Sequence, residues 1–523
     1  MEFNVTGTCY PELHYMVDIK EKLDKIKSMI DAQKYFAINR GRQYGKTTTL
    51  NMLRLALADE YVVVSLSFQG MGPSSFSNEA AFSKMFLAAI SEMLQLTTVS
   101  AEYRLAWKNE DINDFNDLKK HISKMCKGKK IVLMIDEVDQ ISHNLTFLSF
   151  LGVLRELFLT RHMGLYSTFH SVILAGVYDI KNIKLKMVQE GGHKTQPEET
   201  VIQNSPWNIA VGFDVDMSFS MDEIETMLRD YGQEEKIQLD KTEISKEIYH
   251  YTNGYPVLVS SICKLIDEKL DKNWSLAGVR RAVRLLLKSS DNPLFDSLIK
   301  NLTSNDELSR LVYQLVMNDA KLSFNLDNPL ISLGVRYGYF NNKDGKVAIS
   351  NRVFEIRLTN YFINDQSTKR LINNENNQPD EFGIISNGTF HMDIALEKFS
   401  NYYHKYYSEK NFEFHEKEAR ILFLMFISSV LNGSGFAELE SGLADGRSMD
   451  IVANYLGKQF ILETKLWYGE NRHREGYEQL LGYMDKMNLT EGYLLTFDLR
   501  KEKRRQAEWV ILSDGRKIFD VRV

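Results

Sequence analysis

Apolar positions in the first part of the chain fall into short runs separated by stretches of helical period. The runs are YFAIN (35–39), YVVVSLSF (61–68), KIVLMID (130–136), SVILAGV (171–177) and IAVGFDVDM (209–217). Each has the length of a buried strand, and amphipathic helices such as 18–33 and 143–162 are predicted between them. That alternation predicts a parallel sheet covered on both faces across residues 1–220. SMDEIETMLRDYG then opens with a serine N-cap and acids in the first turn, and 221–274 reads as a helical lid. Residues 275–363 are helices followed by YGYFNNKDGKVAISNRVF, two short strands about a turn, the order of a winged-helix-like connector. The polar, asparagine-rich stretch to residue 383 reads as a linker over 364–383. In 384–523 two helical stretches precede a strand-rich core: a hairpin over 449–467 turning at Gly457, a helix in HREGYEQLLGYMDKM, and strands EGYLLTF and EWVILS. The fold class predicted is therefore α/β multidomain.

Composition narrows the class. A chain of 523 residues exceeds one core, and 44% hydrophobic with 26% charged residues is the make-up of a globular protein. A net charge of −6 excludes a uniformly basic polyanion binder and leaves room only for local basic patches. Two such clusters, VRRAVRLLLK (279–288) and RKEKRRQ (500–506), suit a nucleic-acid path or a solvated face. The 3 cysteines, Cys9, Cys126 and Cys263, lack metal-ligand spacing and fit a reducing compartment. The N-terminus has no secretory pattern, and the strongest apolar run, ARILFLMFISSVLNGSGF, contains Arg420 and is broken by serines and glycines. A cytoplasmic protein without a membrane span is expected.

Within the first run, NRGRQYGKTT has the order strand, turn, GKT, helix. Successive backbone N–H groups there can face phosphate oxygens, Lys46 can reach β/γ-phosphates, and Thr47 can ligate Mg2+. The usual pattern begins with glycine, but Arg40 stands at that place and Gly41 comes one residue later. The strand KIVLMID ends in Asp136-Glu137, which suits an aspartate beside Mg2+ and a glutamate toward the attacking water. Asp179, after the fourth strand, is a further sensor candidate or a turn former.

YFAINRGRQYGKTTTL, LMIDEVD, NSPWNIA and TNGYPVLVS together resemble the AAA-like ATPases of bacteria, related to archaeal-type and STAND ATPases. The resemblance covers about residues 1–270 and implies a P-loop NTPase core. Arg40, Arg42, Tyr44, Gly45 and Lys46 match that family's arginine-rich loop entrance, and Gly254-Tyr255-Pro256 its lid motif. It implies ATP and Mg2+ as cofactors, held by Arg40, Gly41, Arg42, Gln43, Tyr44, Gly45, Lys46, Thr47, Thr48, Asp136 and Pro256, with Glu137 catalytic. Arg40 and Arg42 are candidates for phosphate contact, for contact with a neighbouring subunit, or for plain surface arginines.

A second constellation lies in the predicted C-terminal hairpin. With the turn at Gly457, Asp450 falls opposite residue 464, one step from Glu463 and Lys465, which share a face. Two carboxylates there can hold one or two metal ions, and a lysine can stabilise charge on a phosphodiester. The middle residue, Thr464, is expected to face away. Gln479 and Tyr483 follow four apart on one helix face.

This region resembles the PD-(D/E)XK superfamily, in its RecB-like branch, which implies a restriction-endonuclease-like α/β domain. The matching residues are Gly446-Arg447, Asp450, Glu463-Thr464-Lys465 and Gln479 with Tyr483. The resemblance implies Asp450 and Glu463 as ligands for Mg2+ or Mn2+, Lys465 as the catalytic lysine, and Gln479 and Tyr483 as DNA-positioning residues. The extra acid is taken as Glu440, with Glu438 and Glu418 as alternatives, because ELESGLADGRSMD is stretched relative to the family pattern.

The function expected is an ATP-dependent, Mg2+-dependent DNA nuclease with DNA, further copies of itself or a protein trigger as partners. What the family resemblance implies, beyond any residue of this chain, is a role in bacterial defence or mobile-element biology. The alternatives are a nucleotide-operated switch or scaffold whose nuclease fold is inactive, and a winged-helix DNA-binding regulator.

Overall fold

The computed structural model describes residues 1–138, 144–176, 207–289, 292–317, 320–372, 384–386, 388–406, 416–431, 435–442, 448–498, 500 and 506–523. The chain forms two compact units. One comprises Met1–Ile237, Gly254–Ser261 and Leu326–Phe340, and the other Gln238–Asn253, Ile262–Asn325 and Asn341–Val523.

In the first unit, β1 (Tyr35–Asn39), β2 (Val62–Ser67), β3 (Ile131–Asp136) and β4 (Ser171–Gly176) form a parallel sheet in the order β1-β4-β3-β2. The apolar runs dictate this: every residue of β3 and β4 is buried, as strands with both faces covered must be. On one face Tyr35, Leu66, Leu133 and Leu174 meet Phe82, Phe86, Phe147 and Phe150 in a single core. The helices Lys20–Asp31 and Leu145–Thr160 lie within the predicted 18–33 and 143–162. Beyond β1, however, the expected strand 209–217 shrinks, among the described residues, to one parallel bridge, Phe36 with Val211. Side chains take the backbone groups a ladder would need: Arg40 bonds the Val215 carbonyl and Asp216 accepts from the Ser218 N–H. Met221–Glu235 begins in a full capping box of Ser220 and Glu223.

The second unit contains the helices Lys241–Thr252, Leu276–Lys288, Pro293–Thr303 and Asp306–Met317, and the ribbon Lys346–Ile349 (β6) paired with Phe340–Lys343 (β5). Its mixed sheet has the order β13-β14-β12-β11-β10-β9, with β9 Gly435–Gly442, β10 Ser448–Tyr455, β11 Lys458–Leu466, β12 Glu491–Phe497, β13 Gln506–Ile511 and β14 Lys517–Arg522. β11–β12 and β12–β14 are parallel, and the other pairs antiparallel. Arg352–Ile372 is one helix that runs past residue 363 into the predicted linker, whose remainder, 373–383, lies outside the described residues. The basic run at 279–288 is only partly a solvent face, because Arg280 is buried with Nε donating to Glu247 Oε1 at 2.6 Å. RKEKRRQ lies outside the described residues except at its ends, where Arg500 pairs with Asp498. Among the described residues no helix is long and apolar enough to cross a membrane.

Candidate functional site

β1 ends at Asn39, and the helix Lys46–Leu57 starts from Gly45, whose φ of 75° is a left-handed conformation open to glycine. Between them the chain turns tightly enough for Lys46 Nζ to donate to the carbonyls of Arg40 (2.9 Å) and Gly41 (2.8 Å). The ammonium thus sits within the curve of the loop. Thr47 Oγ1 donates to Asp136 Oδ2 at 2.6 Å, so the loop helix and the end of β3 meet through the two groups expected to share a cation. Asp136 is buried, and its other oxygen accepts from the Glu137 N–H at 2.8 Å. Glu137 leaves the strand at φ 56°, a costly conformation for a residue with a side chain, at the predicted position of the water-activating group. Asp179 lies outside the described residues.

The predicted lid motif, Gly254-Tyr255-Pro256, packs on the loop. Tyr255 OH donates to the Arg42 carbonyl at 2.7 Å, its ring meets Tyr44 edge-on at 4.5 Å, and Pro256 lies 3.9 Å from where a Cβ on Gly45 would stand. Burial pushes the Tyr255 phenol up, which keeps it a donor. Gly254 is required here: a Cβ would sit 1.9 Å from the Phe219 carbonyl oxygen. Gly41 is buried, and the carbonyls of Tyr337 and Arg336, ending the helix Pro329–Tyr337, lie 3.5 and 3.6 Å from its Cβ position.

Beside the loop is a cavity of about 140 Å³. Its walls come from the N-terminal segment (Asn4, Val5, Cys9, Tyr15, Val17), the loop (Gln43, Tyr44, Gly45, Thr48), Val215, Met217 and Phe219, and the residues Met227, Pro256 and Val257. Mostly apolar walls with a few polar groups suit an aromatic base next to a phosphate site. The N-terminal wall carried no signal in the sequence, since it has neither strand nor helix period. Thr48, expected at the nucleotide, ties that wall down by accepting from the Cys9 N–H at 3.1 Å. Cys9 itself stays a thiol, its pKa raised by burial. Arg42 is exposed, whereas Arg40 is bound internally, with NH1 to the Asn39 carbonyl and NH2 to the Val215 carbonyl, both at 3.0 Å.

In the second unit the hairpin turns through Leu456 and Gly457, both at positive φ, and pairs Ile451 with Leu462. One step further sets Asp450 opposite Glu463, one residue from the predicted partner 464. On the other side, Met449↔Ser441 and Ile451↔Leu439 make Glu440 the residue opposite Asp450. Glu440, Asp450 and Glu463 thus stand in one row across β9, β10 and β11. The side chains of Glu440, Glu438 and Glu418, and the pair Gly446-Arg447, lie outside the described residues.

Asp450, Glu463 and Lys465 are all buried, at 5, 2 and 5% exposure, and Lys465 Nζ donates to Glu463 Oε1 at 2.6 Å. Burial first, then the Asp450 carboxylate, pushes Glu463 up to about 8, against the pull of Lys465. Its second oxygen, Oε2, is buried without a hydrogen-bond partner. An acceptor in that condition fits a divalent cation. Asp450 is held differently. Its Oδ1 faces Arg420 NH1 at 3.2 Å, and its Oδ2 accepts from both the N–H (2.8 Å) and the Oγ1 (2.7 Å) of Thr464. Thr464 therefore does not face away: beyond the last ladder pair its N–H and hydroxyl both turn to the aspartate. No group of three or more His, Cys, Asp and Glu side chains is arranged to hold a metal among the described residues.

The helix Glu470–Met487 lies over this face. Gly476 permits it, since a Cβ there would meet Lys465 Cγ and Leu494 Cδ1 at 3.1 Å. Gln479 is half-buried, and Tyr483 packs in the apolar cluster of Val452, Ile461, Leu480, Met484, Leu494 and Ile518. Nearer the start of the same helix, His473 and Tyr477 both bond Asp520 Oδ2 at 2.8 Å, a polar network that sequence reasoning did not single out.

A family model described as an AAA-like domain matches residues 24–358. No curated protein matches the sequence. Among solved structures, a Walker-type ATPase of Pyrococcus abyssi is similar at 11% identity and a TM-score of 0.47, over 68% of this chain and 99% of that one. The ORC2 protein of Aeropyrum pernix, in ADPNP-ADP complexes, is similar at 14% identity and 0.36, over 71% and 98%. Domain III of the replication initiation protein DnaA of Thermotoga maritima is similar at 13% and 0.27, over 55% and 97%.

Proposed function

Because the chain belongs to the AAA-like domain family, we propose that it binds and hydrolyses ATP at the phosphate loop and cuts nucleic-acid phosphodiesters at the acidic row of its second unit. The observation that carries the first activity is the Thr47–Asp136 bond of 2.6 Å, which joins the two sequence motifs beside a mostly apolar cavity. Lys46 would neutralise phosphate charge, Thr47 and Asp136 would hold Mg2+, and Glu137 would orient the water. Bound Mg2+ supplies charge neutralisation on the phosphates.

For the second activity the support is Glu463, a buried carboxylate with one oxygen on Lys465 and the other without a partner. Asp450 and Glu463 would take the metal, and Lys465 would steady charge on the scissile phosphate. The pairing of Asp450 with Arg420 and Thr464 favours a second reading, a nucleotide-operated switch whose acidic row binds without cutting.

Two assays separate these readings. ATP hydrolysis is expected from the wild type and is lost on Lys46→Ala; hydrolysis equal in both would sink the ATPase assignment. Cleavage of single- and double-stranded DNA with Mg2+ or Mn2+, with and without ATP, is expected from the wild type and not from Lys465→Ala. DNA binding with no cleavage under any nucleotide condition would leave the switch, and sequence-selective binding a regulator.

A further inference from the structure

We infer that Arg40 is a positioning residue that fixes one wall of the nucleotide cavity, rather than a phosphate ligand. The inference rests on the phosphate-loop reading above. Arg40 occupies the place of the first glycine in the usual loop pattern. Its guanidinium turns toward 213–217 and bonds the Asn39 and Val215 carbonyls at 3.0 Å each. A rigid planar fork can hold two carbonyls at once, which a single ammonium does less well. Its Cζ also stands 5.6 Å from the centre of the Phe213 ring, and that ring stacks on Phe36 of β1 at 5.8 Å with 6° between planes.

The residues so held are those that line the cavity. Val215 carries the bonded carbonyl, and both Val215 and Met217 face the space beside Gln43, Tyr44 and Gly45. The segment needs such a clamp because, among the described residues, it has only one bridge to the sheet, Val211 with Phe36. Past the clamp, Tyr44 OH bonds Ser218 Oγ at 2.6 Å and Lys22 Nζ bonds the Ser218 carbonyl at 2.6 Å, so the far end is tied separately. Loss of Arg40 frees the wall between these ties while leaving the phosphate-facing N–H groups in place.

A phosphate ligand and a wall clamp respond differently to ligands that lack a base. The full chain, as wild type, Arg40→Ala and Arg40→Lys, is titrated calorimetrically with Mg2+-ADP and with Mg2+-tripolyphosphate. Arg40→Ala is expected to weaken ADP about tenfold or more while tripolyphosphate changes less than about twofold. If the alanine variant fails to fold by circular dichroism, the lysine variant carries the same comparison, with a smaller loss for ADP alone. Equal losses for both ligands would place Arg40 on the phosphates and overturn the inference, as would no loss for either. Wild-type protein that binds neither ligand would remove the nucleotide-site reading and the inference together, an outcome distinct from the others.

Discussion

Asp450 and Glu463 stand opposite one another, yet only one has a buried oxygen left without a donor. Asp450 meets Thr464 and Arg420, whereas Glu463 Oε2 meets none. The group raised to about 8 is a carboxyl with an ordinary value of 4.5, so the folded state holds its proton where the unfolded chain has lost it. Its contribution to stability is complete below pH 4.5 and lost as pH rises through about 8. Melting temperature is accordingly expected to fall over that window, and Glu463→Gln to flatten the fall; equal slopes in both proteins would contradict the assignment. Thr464→Val removes a hydroxyl bonded to a charged acceptor and is expected to cost about 1–2 kcal/mol in urea unfolding. Strand parity alone had turned Thr464 outward. What defeated parity is that the β10–β11 ladder stops at Ile451, freeing the Thr464 N–H and hydroxyl for the carboxylate.

Elements were most legible where period and chemistry agreed. YFAIN followed by GKT and KIVLMID followed by Glu137 gave β1, β3 and the loop helix, since each is set by local burial and a local turn. The 209–217 run misled because apolar alternation cannot show that an arginine 175 positions earlier will take a ladder carbonyl. The hairpin turn at Gly457 was legible, but its register was off by one, because both Leu456 and Gly457 form the turn. The helix Glu470–Met487 depends on a close approach invisible in sequence. Gly476→Ala would push against Lys465 Cγ and Leu494 Cδ1 and is expected to destabilise by about 1–3 kcal/mol. On the proposed reading it should also lower phosphodiester cleavage more than ATP hydrolysis, which paired rate measurements on one preparation would check.

At the scale of the molecule, two compact units with separate buried clusters are expected to give two calorimetric transitions. Mg2+-ADP should raise one of them, and Lys46→Ala should abolish that rise. A single transition raised as a whole would show the units to unfold together. The cavity beside the phosphate loop is itself assembled from remote stretches: Asn4 to Ile19, Gln43 to Thr49, Val215 to Phe219, and Pro256 to Ser260. Tyr255 reaches back 213 positions to the Arg42 carbonyl. On a ribosome, where the chain emerges from its N-terminus, the GKT motif is therefore made long before the site it belongs to. A nascent chain halted ahead of Val215 would carry the whole motif and lack both that cavity wall and the Gly254-Tyr255-Pro256 turn that packs on the loop. On the proposed reading, nucleotide capture is then a late event in the life of each copy, open only to a chain grown past Ser260.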